Sequence, residues 1–499
     1  MRGPTLLAVT LVAASTIFQA TDAAADDDDA GDTSTLRYVQ PAPTTYLRMS
    51  VEELAILGAG LIQYFDTTGN SADWDLDYSW ESFSRKLTGE AVSFDTNRFD
   101  TNWVTHPVAG WLYYTTARSN RLSIPEAFLV TLAASTLWEY LGEFREKVSI
   151  NDMVVTPVSG AIVGEATTQL GSWFNRGKPN VGNQIFAWLF GTQQKLHDLL
   201  DEATPSRIAE QRGWHEFRLG LGAASTQQNV APARSLDASA NLQSRIVRAP
   251  HYGEAGDANR WLTDANVSTL AFGATTSRGE LVDAHFLADV SFAGYYQQSV
   301  RAGAGDRLYG HGTYLGGSMA FSYGYHDYDR TGGGAQDRLA ELDLLGLVLD
   351  QWVYFGAFRL HLALSTAPAF ASPTSLALLD YNARFGSEGL PSVAKDQGYY
   401  FAGGGIVAPS LELFLGPLGL RFDARLSAFR SIPGGDRVGP LEQVPFADDE
   451  SRFGLRLSSR VGPFDLGTSF QRRVRDSRVS TVSRHYAESS FTFDTTLVF

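Results

Sequence analysis

The second half of this chain alternates apolar and polar residues with a period of two, and this pattern constrains the fold most. In residues 282–292, valine, alanine and phenylalanine side chains oppose aspartate, histidine and serine. Residues 420–428 repeat the pattern, with arginine and aspartate as the polar set. Successive side chains of a strand point to opposite faces, so each stretch predicts a strand with one apolar and one charged face. A charged face on nearly every strand favours a barrel with lipid outside and polar groups inside over a soluble sandwich.

About twelve such strands are predicted between residues 213 and 499, enough to close a transmembrane antiparallel β-barrel. Three connections read as tight turns: 354–356, 416–419 and 461–463. Two connections read as long polar loops: 366–397 and 430–450. Tight and long connections alternate in outer-membrane barrels. The connection Ser277–Glu280 is short, although this alternation requires a long loop there. The predicted number of strands could therefore be wrong by about two.

The chain ends in the alternating sequence FTFDTTLVF, with Phe491, Phe493 and Phe499 on one face. This ending resembles the C-terminal signal of bacterial outer-membrane β-barrels, which closes on a phenylalanine. The resemblance implies an outer-membrane location, contact with outer-membrane lipid, and recognition of the last strand by the barrel assembly machinery. An ordinary edge strand of a soluble sheet is the alternative.

The N-terminal residues indicate export. Residues 1–25 predict a signal peptide, because the apolar stretch at 6–18 is too short to cross a bilayer and 23–25 offer small residues for cleavage. Residues 26–49 are rich in Asp, Ser, Thr and Pro and predict a disordered lead-in. The chain contains no cysteine, which excludes disulfides and thiolate metal sites. Its net charge of −15 argues against nucleic acid as a partner.

Residues 50–212 carry apolar residues at helical spacing, which predicts an apolar helical segment before the barrel. Ser149 and Asp152 have the spacing of a helix cap, and Thr156-Pro157 reads as a cap followed by a first-turn proline. Three glycines share one helix face, where another helix can approach closely: Gly160, Gly164 and Gly171. We predict that this segment lies at the periplasmic side and plugs the barrel or docks on it. The fold class is therefore an α+β membrane protein.

Two runs within this segment carry a family resemblance: DTNRFDTNWVTHPVAGWLYYTTARSN and SIPEAFLVTLAASTLWEYLGEFREKVSINDMVVTPVSGAIVGE. They are similar to the bacterial family catalogued as domain of unknown function 3943, closely over about residues 95–170. The resemblance implies an outer-membrane or envelope protein. It implies no particular activity, cofactor or site residue.

Four ionisable residues of the apolar segment are candidate catalytic residues: His106, Glu139, Glu143 and Asp152. Glu139 and Glu143 lie one helical turn apart and share a face. A histidine among carboxylates can act as a general base with an orienting acid, or bind a divalent metal. Because isolated carboxylates are costly in apolar surroundings, the four are expected in one buried or half-buried cluster.

Two structural interpretations compete with catalysis at these residues. The acidic groups could pair with Arg118, Arg145 and Lys147 and hold the helices together. Asp152 could simply cap its helix. Hydrolase and nucleotide-binding motifs are absent from the sequence, and we predict no cofactor and no metal. Whether the chain is an enzyme stays open.

The predicted function is an outer-membrane β-barrel with a role in envelope structure or transport. One alternative is a membrane-surface enzyme that acts on envelope lipid through the four candidate residues. Another is an interaction module that the barrel anchors. The position of the helical segment distinguishes them, since a place inside the lumen favours gating, and a place on the outer wall favours an enzyme or docking.

Overall fold

The computed structural model describes residues 44–68, 75–177, 180–201, 213–229, 235–305, 307–327, 336–386, 398–432 and 444–499. The predicted signal peptide and the predicted lead-in up to residue 43 lie outside these ranges.

Eight α-helices occur in the described residues: α1 (Tyr46–Thr68), α2 (Trp80–Thr88), α3 (His106–Ser119), α4 (Ile124–Leu137), α5 (Ile150–Asn175), α6 (Val181–Phe190), α7 (Thr192–Leu200) and α8 (Leu376–Phe385). Two π-helical turns adjoin α3 and α4: Thr101–Thr105 and Trp138–Gly142. Seven helices precede the barrel, and α8 lies between two of its strands.

Two very short strands, β1 (Val92–Ser93) and β2 (Val148–Ser149), pair in parallel within the helical segment. The other strands are β3 (Trp214–Gln228), β4 (Ser235–Val247), β5 (Gly256–Leu262), β6 (Val267–Ser277), β7 (Glu280–Ala302), β8 (Leu308–Asp327), β9 (Gln336–Gly356), β10 (Phe358–Pro373), β11 (Ala402–Leu415), β12 (Leu418–Ser431), β13 (Phe446–Val461), β14 (Phe464–Val479) and β15 (Val482–Val498).

Twelve of these thirteen strands close an antiparallel barrel, and β5 is the additional strand. Pairing of β7 with β8 joins the two ends of the sheet. The prediction of about twelve strands is confirmed, whereas β5 was not predicted. Strand β5 pairs with the last part of β7, beyond the residues of β7 that pair with β6.

The connections differ from the predicted ones mainly where strands run longer than their apolar pattern. The short Ser277–Glu280 connection is a tight turn with positive φ at Arg278 (52°) and Gly279 (87°), which suits a two-residue hairpin. The long loop predicted to begin at 366 is wrong at its start, because β10 continues to Pro373. Backbone pairing with β9 and β11 keeps β10 extended beyond the last charged residue of its polar face.

The outer wall of the barrel is apolar and its lumen is charged. In β15, Phe491 and Phe493 are 58% and 60% exposed, whereas Asp494 beside them is only 6% exposed. Asp494 pairs with Arg456 of β13 on the lumen side, across the intervening strand β14. The alternation in the sequence therefore separates an outer apolar surface from an inner polar one, as predicted.

The lumen is closed near the end that carries α8, here called the loop end. Ala377 and Leu378 of α8 pack with Phe429, Phe446 and Val482 in one buried apolar cluster. The opposite end, where the barrel begins and the chain finishes at Phe499, is here called the terminal end. A cavity of about 390 Å³ lies inside the barrel at that end.

Helix α5 packs against the outside of the barrel. Its residues Val155 and Ile162 share one buried cluster with Phe321 of β8 and Leu342 of β9. Phe321 and Leu342 are adjacent in sequence to Ser322 and Glu341, whose side chains are hydrogen-bonded on the lumen side. Because neighbouring side chains of a strand point to opposite faces, α5 contacts the outer wall.

The C-terminal end of α5 contacts the terminal end of the barrel. Trp173 and Phe174 pack against Phe217 of β3, with ring centroids 4.7 and 5.4 Å apart. Phe217 in turn contacts the last residue, Phe499, at 5.6 Å. Helix α5 has 26 residues, which corresponds to about 39 Å, so it follows the wall along most of its height. No described helix is both long and apolar enough to cross a membrane.

Two features of α5 explain how the helices pack. An ideal Cβ on Gly160 would lie 2.5 Å from the backbone of Gly110 in α3, so the two helices cross in direct backbone contact. The prediction that a helix begins at Pro157 is wrong, because α5 begins at Ile150 and contains Pro157. Ser149 accepts a hydrogen bond from the Asp152 N–H and so caps the helix at a point before Pro157. Burial on several sides keeps the helix continuous past Pro157.

Candidate functional site

The pairing of β1 with β2 brings two acidic residues together. Ser93 is opposite Ser149, and two residues further on the Asp95 N–H donates to the Asn151 side chain at 3.0 Å. Asp95 therefore lies beside the first turn of α5, which contains Asp152. This proximity depends on a strand pairing of two residues, which is too short to be predicted from the sequence.

His106 completes a three-residue group that we call the Asp–His–Asp triad: Asp95, His106 and Asp152. The Nε2 atom of His106 lies 3.3 Å from Oδ1 of Asp152. One ligand atom from each of the three residues lies within 4.8 Å of the others. Asp152 is 1% exposed and the His106 side chain 12% exposed, so the triad is mostly buried. Sequence reasoning missed Asp95, although it lies in the run that carries the family resemblance.

Asparagine side chains hold the triad in place. Asn102 and Asn97 donate to the two oxygens of Asp95, each at 2.8 Å. Asn151 donates to Oδ1 of Asp152 at 2.8 Å. Among the described residues, neither Oδ2 of Asp152 nor Nε2 of His106 has a hydrogen-bond partner. Two unsatisfied polar atoms thus occur within the same buried group.

Burial governs the protonation of the triad. It raises the pKa of Asp152 well above its ordinary range, and the nearby charge of Asp95 raises it further. Burial also lowers the pKa of His106, although Asp95 opposes this effect. A neutral imidazole beside a protonated Asp152 is therefore the favoured state when no cation is present.

Glu139 and Glu143 form a neighbouring group around Lys86. The Lys86 ammonium donates to the main-chain oxygens of Glu139 and Glu143, at 2.7 and 2.8 Å. The Glu139 carboxylate accepts from the Ser149 N–H, and that of Glu143 accepts from the Trp138 indole, both at 2.8 Å. These glutamates are next to the triad in the fold, and their charges raise the pKa of Asp152.

The structure thus brings His106 and Asp152 into direct contact and places Glu139 and Glu143 in the adjacent group. Burial raises the pKa of Glu139 well above its ordinary range and that of Glu143 to about 7. Glu143 adds to the effect on Glu139, and Glu146 adds to the effect on Glu143. The catalytic role expected for the four residues stays a prediction.

The cations named as structural partners have contacts of their own. Arg118 pairs with the buried Glu165 of α5 at 2.8 Å, and Lys147 pairs with Asp75 at 2.8 Å. The Arg118–Glu165 pair links α3 to α5. Chemically, the triad offers one imidazole nitrogen and two carboxylates at a junction of three segments, a set that can exchange a proton or bind a cation.

Comparisons with known proteins support the family resemblance. Residues 91–191 match the model of the family described as domain of unknown function (DUF3943), and this confirms the resemblance seen in the sequence. The matched region contains the whole triad. No curated protein matches the chain.

Several solved structures of β-barrels are similar to part of the chain. The translocator domain of the autotransporter NalP from Neisseria meningitidis is 13% identical, covers 63% of this chain and 97% of its own, and has a TM-score of 0.22. The β domain of the Bordetella autotransporter BrkA is 12% identical, with coverages of 56% and 99% and a TM-score of 0.22. OccK2 from Pseudomonas aeruginosa is 9% identical, with coverages of 57% and 98% and a TM-score of 0.20. The closed barrel itself follows from the strand pairing of this chain.

Proposed function

We propose that this protein is an outer-membrane β-barrel with an envelope role, in which a closed barrel anchors the helical segment at the membrane. The observation that carries the proposal is the position of α5. Helix α5 covers part of the outer wall, while ion pairs occupy the lumen and an apolar cluster closes its loop end. A helical segment that gated a channel would be expected inside the lumen.

Buried charged side chains occupy the lumen near the loop end and beside the cavity at the terminal end. Arg475 of β14 is fully buried and contacts Asp448 at 3.3 Å and Glu450 at 3.5 Å, both on β13. Arg245 of β4 pairs with Asp350 of β9 at 2.5 Å. Removing one partner of a buried ion pair costs about 3–5 kcal/mol, so these side chains are expected to keep their places in the lumen rather than open a path for a solute.

The surface of the helical segment supports a place at the membrane. On α4, Leu129 and Leu137 are 61% and 46% exposed, and Val108 of α3 is 48% exposed. Large exposed apolar patches are uncommon on soluble proteins and mark contact with lipid or another protein. The exposed apolar residues of the helical segment therefore favour contact with lipid or with another protein.

Solute efflux from liposomes tests this proposal. The full-length protein, folded in liposomes that hold a small fluorescent anion, is expected to release no more dye than empty liposomes. A general porin serves as the positive control. Heat-modifiable gel mobility confirms that the reconstituted barrel is folded. Rapid dye release by folded protein would contradict the anchoring function.

Transport of a small charged solute is the second candidate, and the cavity at the terminal end favours it. Arg218, Arg359 and Glu412 are among the residues that line this cavity. Dye release that fell when Arg218→Ala was introduced would favour transport over anchoring.

A further inference from the structure

We propose that the Asp–His–Asp triad binds one divalent transition-metal ion through one imidazole nitrogen and two carboxylate oxygens. This inference goes beyond the anchoring function, since the barrel could anchor the helices with or without a metal.

The spacing of the triad suits a small cation. Zinc binds histidine nitrogen and aspartate oxygen at about 2.0–2.2 Å, which places neighbouring ligand atoms about 3.3–3.6 Å apart in a tetrahedron. The His106 and Asp152 ligand atoms are 3.3 Å apart, which already matches this spacing. All three ligand atoms lie within 4.8 Å of one another, so movements of about an ångström would close the set around an ion.

Unsatisfied polar atoms provide an independent argument. Asp152 is 1% exposed, and in its ionised form its Oδ2 has no hydrogen-bond donor among the described residues, while Nε2 of His106 faces only Oδ1 of Asp152, at 3.3 Å. A buried polar atom without a partner costs about 1–3 kcal/mol, and more when it is charged. A cation between these atoms would satisfy both, and it would offset the repulsion that arises when Asp152 loses its proton beside Asp95.

The surrounding amides resemble the outer shell of a metal site. Ligands in metalloproteins are usually oriented by hydrogen bonds from a second layer of residues. Here Asn97 and Asn102 orient Asp95, and Asn151 orients Asp152 while also accepting from the Asp95 backbone. The ligands are therefore held in position before any ion arrives, which lowers the entropic cost of binding.

The mixture of ligands selects the class of ion. Imidazole suits zinc, iron, copper and nickel, while carboxylates also suit manganese. Calcium and magnesium prefer sites built from oxygen alone. Three protein ligands would leave a coordination position for water or substrate, as in catalytic rather than structural zinc sites.

Metal analysis of the full-length protein in detergent tests this site. After chelation and dialysis against Zn²⁺, the wild-type protein is expected to retain about one equivalent. Co²⁺ loading should produce visible absorption bands from a nitrogen–oxygen site. Asp152→Asn and His106→Gln should weaken Zn²⁺ binding by more than about 100-fold, and Asn151→Ala by about 10–100-fold.

Matched variants separate this site from adventitious binding. Glu53→Gln removes a buried acid of α1, outside both the triad and the group around Lys86, and should bind Zn²⁺ as the wild type does. Asp152→Asn keeps the side-chain shape and cannot ionise, so its barrel and helices should fold, as heat-modifiable mobility and circular dichroism would show. A wild-type protein that bound neither Zn²⁺, Mn²⁺ nor Co²⁺ would overturn the proposal. Equal binding by the wild type and Asp152→Asn would overturn it too. Neither result would bear on the liposome experiment.

Discussion

At the residue scale, two kinds of buried acid determine how the helical segment responds to pH. Burial alone would raise the pKa of Glu165, but its ion pair with Arg118 outweighs burial and lowers it. Glu143 lacks such a compensating pair, and burial together with Glu146 raises its pKa from 4.5 to about 7. A lowered pKa stabilises the fold above the ordinary pKa, whereas a raised pKa penalises the fold once the acid ionises.

The penalty that ionised Glu143 imposes on the stability of the helical segment should therefore decrease as the pH falls from about 8 to about 5.5. Over this range Glu143 gains a proton in the folded state, while an unfolded glutamate with its ordinary pKa stays ionised. Glu165 contributes no change over this range, because its pKa is lowered and the stability that its ionised form provides is lost only at more acidic pH. Thermal unfolding followed by helical circular dichroism measures the effect.

Glu143→Gln is the control for this pH dependence. The variant should unfold at a higher temperature than the wild type at pH 8, and its pH dependence should be flatter. If the difference in unfolding temperature between the wild type and Glu143→Gln stayed the same from about pH 8 to about pH 5.5, the assignment to Glu143 would be contradicted.

At the element scale, the crossing of α3 and α5 depends on glycine. Gly160 lies directly on the backbone of Gly110, and Gly164 lies on the ring of Tyr114. Because α5 also carries the contacts to the barrel wall, its separation from α3 would disturb the triad, which joins the first residue of α3 to the first turn of α5. The glycine face was predicted from spacing alone, and its partner helix was not.

Gly160→Val should destabilise the helical segment by about 2–4 kcal/mol, since a branched side chain cannot fit without moving one helix. Urea unfolding followed by circular dichroism at the helical wavelength measures this loss. Gly58→Val is a suitable control, because a Cβ at Gly58 of α1 meets no atom within 4 Å. Equal stability of the Gly160 variant and the wild type would show that the helices do not cross here.

The sequence predicts the elements better than it predicts how they meet. Period-two alternation separates a lipid-like face from a polar lumen strand by strand, so the barrel and its strand count could be inferred. The sequence of β5, GDANRWL, has no comparable alternation, so this strand could not be predicted. In the structure it pairs with β7. Asp95 was missed because it lies in an extended stretch, where spacing along the chain gives no information about proximity to Asp152.

At the scale of the whole molecule, the helical segment and the barrel form one body joined along α5. The side of the barrel that α5 contacts could not be predicted, since α5 is apolar or small on nearly every face. Its last turn contacts Phe217, which itself packs on Phe499. Recognition of Phe499 by the assembly machinery stays a prediction, and the helical segment would have to dock after that strand has been recognised.

Cysteine cross-linking tests most directly whether the helical segment lies on the outer wall. The chain contains no cysteine, so introduced pairs report without background. Phe94 packs on Phe401, with ring centroids 4.7 Å apart on the outer side, whereas the adjacent Tyr400 donates to Asp448 inside the lumen. We expect Phe94→Cys with Phe401→Cys to cross-link in outer-membrane preparations, and Phe94→Cys with Tyr400→Cys to remain open. Cross-linking of the Tyr400 pair instead of the Phe401 pair would place the helices in the lumen and contradict the account.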